Sequence, residues 1–209
     1  MPARTEMPLA GVILAGGRSA RMGAPKALLD FRGEPFITRI LEAFEALDLK
    51  TRVVVLGPDA SRVRPAIAAH DCLVIENPDV DGGPIVSLRR ALEALEPIHP
   101  LAALVWPVDL PHVHIATVER LVETYRRLRP LIVVPTFAGK RGHPVIWDQR
   151  LFGELRTSEA ATRDGARAVV HGHAAEVHQV PVDDPAVIDF INTPADYERL
   201  IREINRDAY

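Results

Sequence analysis

The sequence predicts an α/β fold whose mostly parallel sheet is covered by helices on both faces. Three observations support this. Short runs rich in Val, Ile and Leu, bounded by turn residues, alternate with segments whose apolar residues recur at helical spacing. A glycine-rich stretch directly follows the first of these runs, where open α/β sheets place their ligand loops. The chain has 209 residues, 47% of them apolar, enough to bury a sizeable core in one domain spanning 1–209.

Leu9–Leu14, Arg52–Leu56, Cys72–Ile75, Ala102–Trp106 and Leu131–Val134 read as buried strands. Between them, Phe36, Ile37, Ile40, Leu41, Phe44 and Leu47 share one helical face, and a second helix runs over Ala60–Ala69. A third covers Ile85–Leu95, and a fourth aligns Ile115, Val118, Leu121, Val122, Tyr125 and Leu128. After Val134 the rhythm changes. Phe137–Gly142 is a turn and His143–Trp147 a returning strand, which makes the sheet mixed. The polar stretch Arg156–Gly165 reads as a mobile surface loop, Ala166–His171 as a helix and Val177–Val182 as a strand. In the last helix Thr193 is the N-cap, Pro194 the first helical residue and Asp196 the partner in a capping box, with Tyr197, Leu200, Ile201 and Ile204 on its apolar face.

Composition excludes several classes. Lys and Arg number 25 against 28 Asp and Glu, a net charge of -3, which argues against a general nucleic-acid binder. The lone Cys72 excludes an intramolecular disulfide framework and is expected in the core. No apolar stretch approaches bilayer-spanning length, and the N-terminus, MPARTEMPLAG, lacks the apolar core of a signal peptide, so a cytoplasmic protein with no membrane partner is expected. His112 with His114, and His171 with His173, lack a third ligand at zinc-site spacing.

The most informative stretch is Leu14-Ala-Gly-Gly-Arg-Ser-Ala-Arg-Met-Gly-Ala-Pro-Lys26. Gly16, Gly17 and Gly23 let the backbone approach a ligand and turn its amides inward, where they can cradle phosphate oxygens. Arg18, Arg21 and Lys26 place three cations within nine positions, and a nucleoside triphosphate is a natural counter-charge. The P-loop is excluded because Lys26 is followed by Ala27 rather than Ser or Thr, and the G-x-G-x-x-G spacing is absent. An ordinary solvated strand-to-helix loop is the bland alternative.

The run L-A-G-G-x-S-x-R-M-G-x-x-K resembles the signature loop of the molybdenum-cofactor-type nucleotidyltransferases, which include molybdopterin guanylyl- and cytidylyltransferases and, more distantly, sugar-1-phosphate nucleotidylyltransferases. The resemblance implies a Rossmann-like nucleotidyltransferase three-layer sandwich with a mostly parallel, mixed central sheet. It places Leu14, Ala15, Gly16, Gly17, Arg18, Ser19 and Gly23 around the nucleotide, and Arg21 and Lys26 on its phosphates as catalytic groups.

Asp109, in Trp106-Pro-Val-Asp-Leu-Pro111, lies just past a strand between two prolines that stiffen the turn, and is suited to a hard cation. A helix N-cap near Pro111 is the alternative role. The resemblance adds that the family's metal-binding Asp occupies a similar D-x-P element and that Asn192-Thr-Pro matches its D/N-T-P element, so Asp109 and Asn192 are the expected Mg²⁺ ligands. It further matches the segment Asn77–Ser87 to the base-contacting turn, with Gly82, Gly83 and Ser87 as candidates and Asp81 as a weaker one. Arg141-Gly-His143-Pro matches the acceptor-side element, with Arg141 and His143 as candidate acceptor residues.

The expected activity is Mg²⁺-dependent transfer of a nucleotidyl group from GTP or CTP to a small phosphorylated acceptor, molybdopterin by resemblance, with release of pyrophosphate and a partner enzyme receiving the product. Gly16-Gly17 matches the guanylyl members, whereas Arg-Gly-His-Pro and the segment before Ser87 match the cytidylyl branch. The alternatives are sugar-1-phosphate nucleotidylyl transfer, a kinase and a non-catalytic nucleotide binder.

Overall fold

A computed structural model describes residues 8–79 and 81–207. The reading that the N-terminus lacks a leader core falls largely on residues 1–7, outside the described residues. In chain order the strands are β1 (Leu9–Ala15), β2 (Asp30–Phe31), β3 (Glu34–Pro35), β4 (Thr51–Leu56), β5 (Leu73–Glu76), β6 (Ala102–Pro107), β7 (Ile132–Phe137), β8 (Lys140–Arg141), β9 (Val145–Asp148) and β10 (Val177–Pro181). The helices are α1 (Phe36–Ala46), α2 (Ala60–Ile67), α3 (Pro84–Leu95), α4 (Ile115–Leu128), α5 (Phe152–Thr157), α6 (Glu159–Asp164), α7 (Arg167–Gly172) and α8 (Pro194–Asp207).

The main sheet runs in the order β10-β7-β9-β6-β1-β4-β5, with β8 paired to β7. β1 is parallel to both β4 and β6, β5 is parallel to β4, and β10 is parallel to β7; only β9 runs against its neighbours β6 and β7 along this order. This is the mostly parallel, mixed sheet the sequence predicts. Its layering follows from the two-residue period of strands. Leu9 and Ile13 of β1, with Val54 and Leu56 of β4, face one core beneath α1, α2, α4 and α8. Ala10 and Val12, with Val53 and Val55, face a second core beneath α3, α5, α6 and α7. A strand buried on both faces needs an unbroken apolar run, which is why Leu9–Leu14 and Arg52–Leu56 stand out in the sequence.

Three expectations need correction. Arg156–Gly165 is helical rather than a loop: α5 closes at Thr157, and the Ser158 hydroxyl caps α6 by accepting from the Ala161 amide. Arg89 of α3 holds this junction, donating to the Leu155 and Ser158 carbonyls and to Thr162 Oγ1. Cys72 precedes the edge strand β5 and is half-buried, packed against the margin of the first core rather than within it. The returning strand starts at Val145, and His143 lies before it, its amide bonded to the Val187 carbonyl.

Candidate functional site

The parallel strands β1, β4, β5 and β6 all end on one edge of the sheet, and the antiparallel β9 begins there. A cleft of about 930 Å³ opens along this edge, within the range of small-molecule sites. Its lining gathers segments far apart in sequence: the glycine loop after β1, Gly57 after β4, Asn77 after β5, the Gly82-Gly83 turn before α3, Asp109 after β6, His143 before β9 and Asn192 before α8.

Backbone pairing past the strand ends brings the key loops together. The Val108 amide donates to the Leu14 carbonyl, so the β6 loop follows the glycine loop. The Ile191 amide donates to the Asp109 carbonyl, which draws the segment carrying Asn192 alongside. The capping box then fixes that segment: Asp196 Oδ2 accepts from the Asn192 amide at 3.0 Å and from the Thr193 amide at 2.8 Å, while Thr193 Oγ1 accepts from the Asp196 amide at 3.2 Å. Asp109 is not a helix cap, since α4 begins at Ile115 behind His114.

At the centre, Lys26 Nζ donates to Asp109 Oδ2 at 3.0 Å and to Asn192 Oδ1 at 2.8 Å. The Lys26 and Asp109 side chains are mostly buried, at 15% and 19% exposure. The Lys26 amide donates to Ser19 Oγ at 3.0 Å, which ties the lysine back onto the glycine loop. Two oxygens therefore converge on a point occupied by a cation. Such a donor set, one carboxylate and one amide oxygen, suits a hard divalent ion that takes few protein ligands beside phosphates and water.

The glycine loop also makes a close approach. A Cβ on Gly57 would lie 2.3 Å from the Gly16 carbonyl oxygen and would push the loop off its seat, while one on Gly16 would lie 2.3 Å from Ser87 Oγ and would force that hydroxyl to move. Ser87 is held by Asn77, a residue the sequence reading passed over. Asn77 is 2% exposed and its Nδ2 donates to Ser87 Oγ at 3.0 Å and to the Asp79 carbonyl at 2.9 Å. Asp79 Oδ1 in turn accepts from the Gly82 amide at 3.0 Å and shapes the turn into α3. The Asn-Pro dipeptide behind a strand and the Gly-Pro of residues 57–58 were the available signals for Asn77 and Gly57.

Leu14, Ala15, Gly16, Gly17, Arg18, Ser19, Arg21, Lys26, Gly82, Gly83, Ser87, Asp109, His143 and Asn192 all line the cleft. Gly23 and Arg141 do not, and Arg141 is exposed on β8. Arg18 reaches across to Asp81 at 3.0 Å, both side chains in solvent. His143 is half-buried, and loss of solvent around its imidazole pushes it below its ordinary pKa against the opposing pull of Asp109; its Nδ1 has no partner among the described residues. The α6–α7 junction adds Thr162, Arg163 and Arg167 to the wall, a contribution hidden by reading this stretch as a loop.

Residues 11–179 match the MobA-like NTP transferase domain. The chain belongs to this family. It is thereby a member of a nucleotidyltransferase family, as the glycine loop implied, and the family description names a nucleoside triphosphate as the substrate class. It is 28% identical over 191 residues to the molybdenum cofactor guanylyltransferase of Pseudomonas fluorescens (strain SBW25), covering 90% of this chain and 91% of that one. It is 33% identical over 123 residues to the bifunctional protein GlmU of Bifidobacterium animalis subsp. lactis (strain AD011); that match covers 56% of this chain but only 26% of GlmU, about a quarter of that relative. The crystal structure of Rv0371c from Mycobacterium tuberculosis H37Rv has a TM-score of 0.81 at 30% identity, covering 95% of this chain and 100% of that one. A structure of Rv0371c in complex with manganese has a TM-score of 0.76 at 30% identity, covering 93% and 98%. Among the described residues, no helix is long and apolar enough to cross a membrane.

Proposed function

We propose that the chain is a Mg²⁺-dependent nucleotidyltransferase that moves a nucleoside monophosphate from GTP, or alternatively CTP, to molybdopterin and releases pyrophosphate. The observation that carries this reading is the meeting of Lys26, Asp109 and Asn192 at one point in the glycine-loop cleft. GTP is favoured because a relative matching over most of its length is named a guanylyltransferase and because Gly16 follows the guanylyl pattern.

A phosphate oxygen of the acceptor forms the new bond to the α-phosphorus. The bond from that phosphorus to the β-phosphate bridging oxygen breaks, and pyrophosphate leaves with its electron pair. The attacking phosphate is already ionised near neutral pH, so the chain needs no dedicated base, and positioning with charge neutralisation carries the rate. Main-chain amides of Gly16–Ser19 orient the triphosphate. Arg21 and Lys26 offset charge on the transferred group and on pyrophosphate. Ser87, braced by Asn77, and the Gly82-Gly83 turn face the base. His143, on the β9 side, meets the acceptor, while Arg141 lies outside the lining and has no assigned contact. Asp109 and Asn192 would hold Mg²⁺, which when bound supplies positive charge beside the phosphates. Kept neutral by burial, His143 can accept or donate one hydrogen bond without repelling Lys26.

The test is pyrophosphate release with Mg²⁺, each of the four nucleoside triphosphates in turn, and molybdopterin or a panel of sugar 1-phosphates. The reading predicts release with GTP and molybdopterin. Release of nucleoside diphosphate instead, or nucleotide binding with no pyrophosphate for any acceptor, would contradict it.

A further inference from the structure

Lys26 is assigned to the phosphates by resemblance, yet its ammonium sits on the two oxygens expected to hold the metal. The ammonium has three donors and spends two on these oxygens, so little of its charge is left for a phosphate while it stays there. The ammonium nitrogen is 3.0 Å from Asp109 Oδ2 and 2.8 Å from Asn192 Oδ1. A Mg²⁺ ion drawn to the same oxygens would compete with the ammonium for them and bring two like charges within a few ångströms of each other.

We propose that Lys26 is an internal counter-ion competing with the divalent cation for Asp109 and Asn192, and that the arriving triphosphate releases the site by taking the lysine onto its own oxygens. The surroundings support an exchange rather than a fixed structural pair. Lys26 is tethered by its backbone to Ser19, so the loop that seats the phosphates also carries the ammonium. Asp109 accepts no side-chain donor other than Lys26 among the described residues, so withdrawal of the lysine leaves its carboxylate without a partner, a costly state in a mostly buried position. The metal fills that need. Metal and nucleotide therefore bind cooperatively, and the coupling passes through one side chain.

This inference rests on the metal role proposed above for Asp109 and Asn192, but on neither the base nor the acceptor. The test is titration of Mn²⁺ alone, followed by electron paramagnetic resonance, on wild type, Lys26→Met, Arg21→Met and Lys26→Met/Asp109→Asn, each checked for folding by circular dichroism. Lys26→Met should bind Mn²⁺ at least about tenfold more tightly than wild type, because the competitor is gone. Arg21→Met removes a loop charge without freeing the oxygens and should change affinity by less than about threefold. Equal or weaker binding by Lys26→Met than by wild type, or an equal gain in Arg21→Met, overturns the competition. If Lys26→Met gains affinity but Asp109→Asn does not abolish it, the ion binds elsewhere, and the metal assignment underlying the proposed function fails instead.

Discussion

Strand β6 carries an aspartate environment at each end, and the two differ in kind. At its start, Ala102 pairs with Asp148 of β9, away from the cleft. Asp148 is 5% exposed and fully engaged: Oδ1 accepts from the Arg150 amide at 2.9 Å and from Arg150 Nε at 2.7 Å, and Oδ2 accepts from Arg150 Nη2 at 3.0 Å and from the Tyr125 hydroxyl at 2.8 Å. Burial alone would raise its carboxyl, but these donors outweigh burial and hold it below the usual carboxylate range. At the other end, Asp109 faces the cleft with one side-chain donor among the described residues, Lys26, which is itself borrowed from the glycine loop. A saturated carboxylate has nothing left to offer a ligand. An under-coordinated one in a cavity stores binding capacity, and this contrast separates structure from chemistry in the protein.

The largest expected effect breaks the pair at the cleft. Asp109→Ala and Lys26→Ala should each lower turnover at least about a hundredfold while the fold survives. Asp148→Ala should do the reverse: loss of about 2–3 kcal/mol of stability as Tyr125 and Arg150 lose their acceptor, with turnover per folded molecule preserved. Denaturant unfolding alongside steady-state kinetics checks both, and similar profiles for the two aspartates would erase the contrast.

A smaller effect is expected at the base end. Gly16→Ala should raise the KM for nucleotide about tenfold, because the new Cβ meets Ser87 Oγ. Adding Ser87→Ala removes that oxygen, so the double variant should bind nucleotide better than Gly16→Ala alone. Additive losses would mean that the two residues act independently.

The smallest effect concerns pH. Burial lowers His143 and His112 below the ordinary imidazole value of 6.5. The unfolded chain then binds more protons than the folded one just below that pH, so these residues favour the fold above it and cost stability as pH falls through it. Asp148, and Asp189, where two Arg199 hydrogen bonds outweigh burial, are both lowered and keep their contribution until pH drops below the ordinary carboxylate value of 3.8. Thermal melts at pH 7.5 and 5.5 should show a drop of a few degrees for wild type and a smaller one for His143→Gln. Equal drops would place the pH sensitivity elsewhere.

Much of this was legible because the signals are local. The continuous apolar run of β1, the helical period of α4 and the Thr193–Asp196 capping box lie within single elements, and the structure places them within a residue or two of expectation. The junction over 156–165 was misread because its helical state depends on Arg89, some seventy positions earlier, which satisfies carbonyls the polar sequence leaves open. The two-residue strands β2 and β3 are too short to carry a period. For the site, residue types and strand-end positions pointed to loops that line one cleft. No spacing could show that Lys26 meets Asp109 across 83 positions and Asn192 across 166. That meeting is set by strand order, since β6 is inserted beside β1 and the C-terminal segment returns along the β6 loop.

The central claim is that the glycine loop and the Asp109–Asn192 pair serve one bound nucleotide. A crystal grown with a non-hydrolysable GTP analogue and Mn²⁺ tests it most directly through anomalous scattering. The account predicts a manganese peak on the Asp109 and Asn192 oxygens, with the triphosphate along Gly16–Ser19 and Lys26 turned onto it. A nucleotide seated away from this loop, or a manganese ion bound without Asp109, would contradict it.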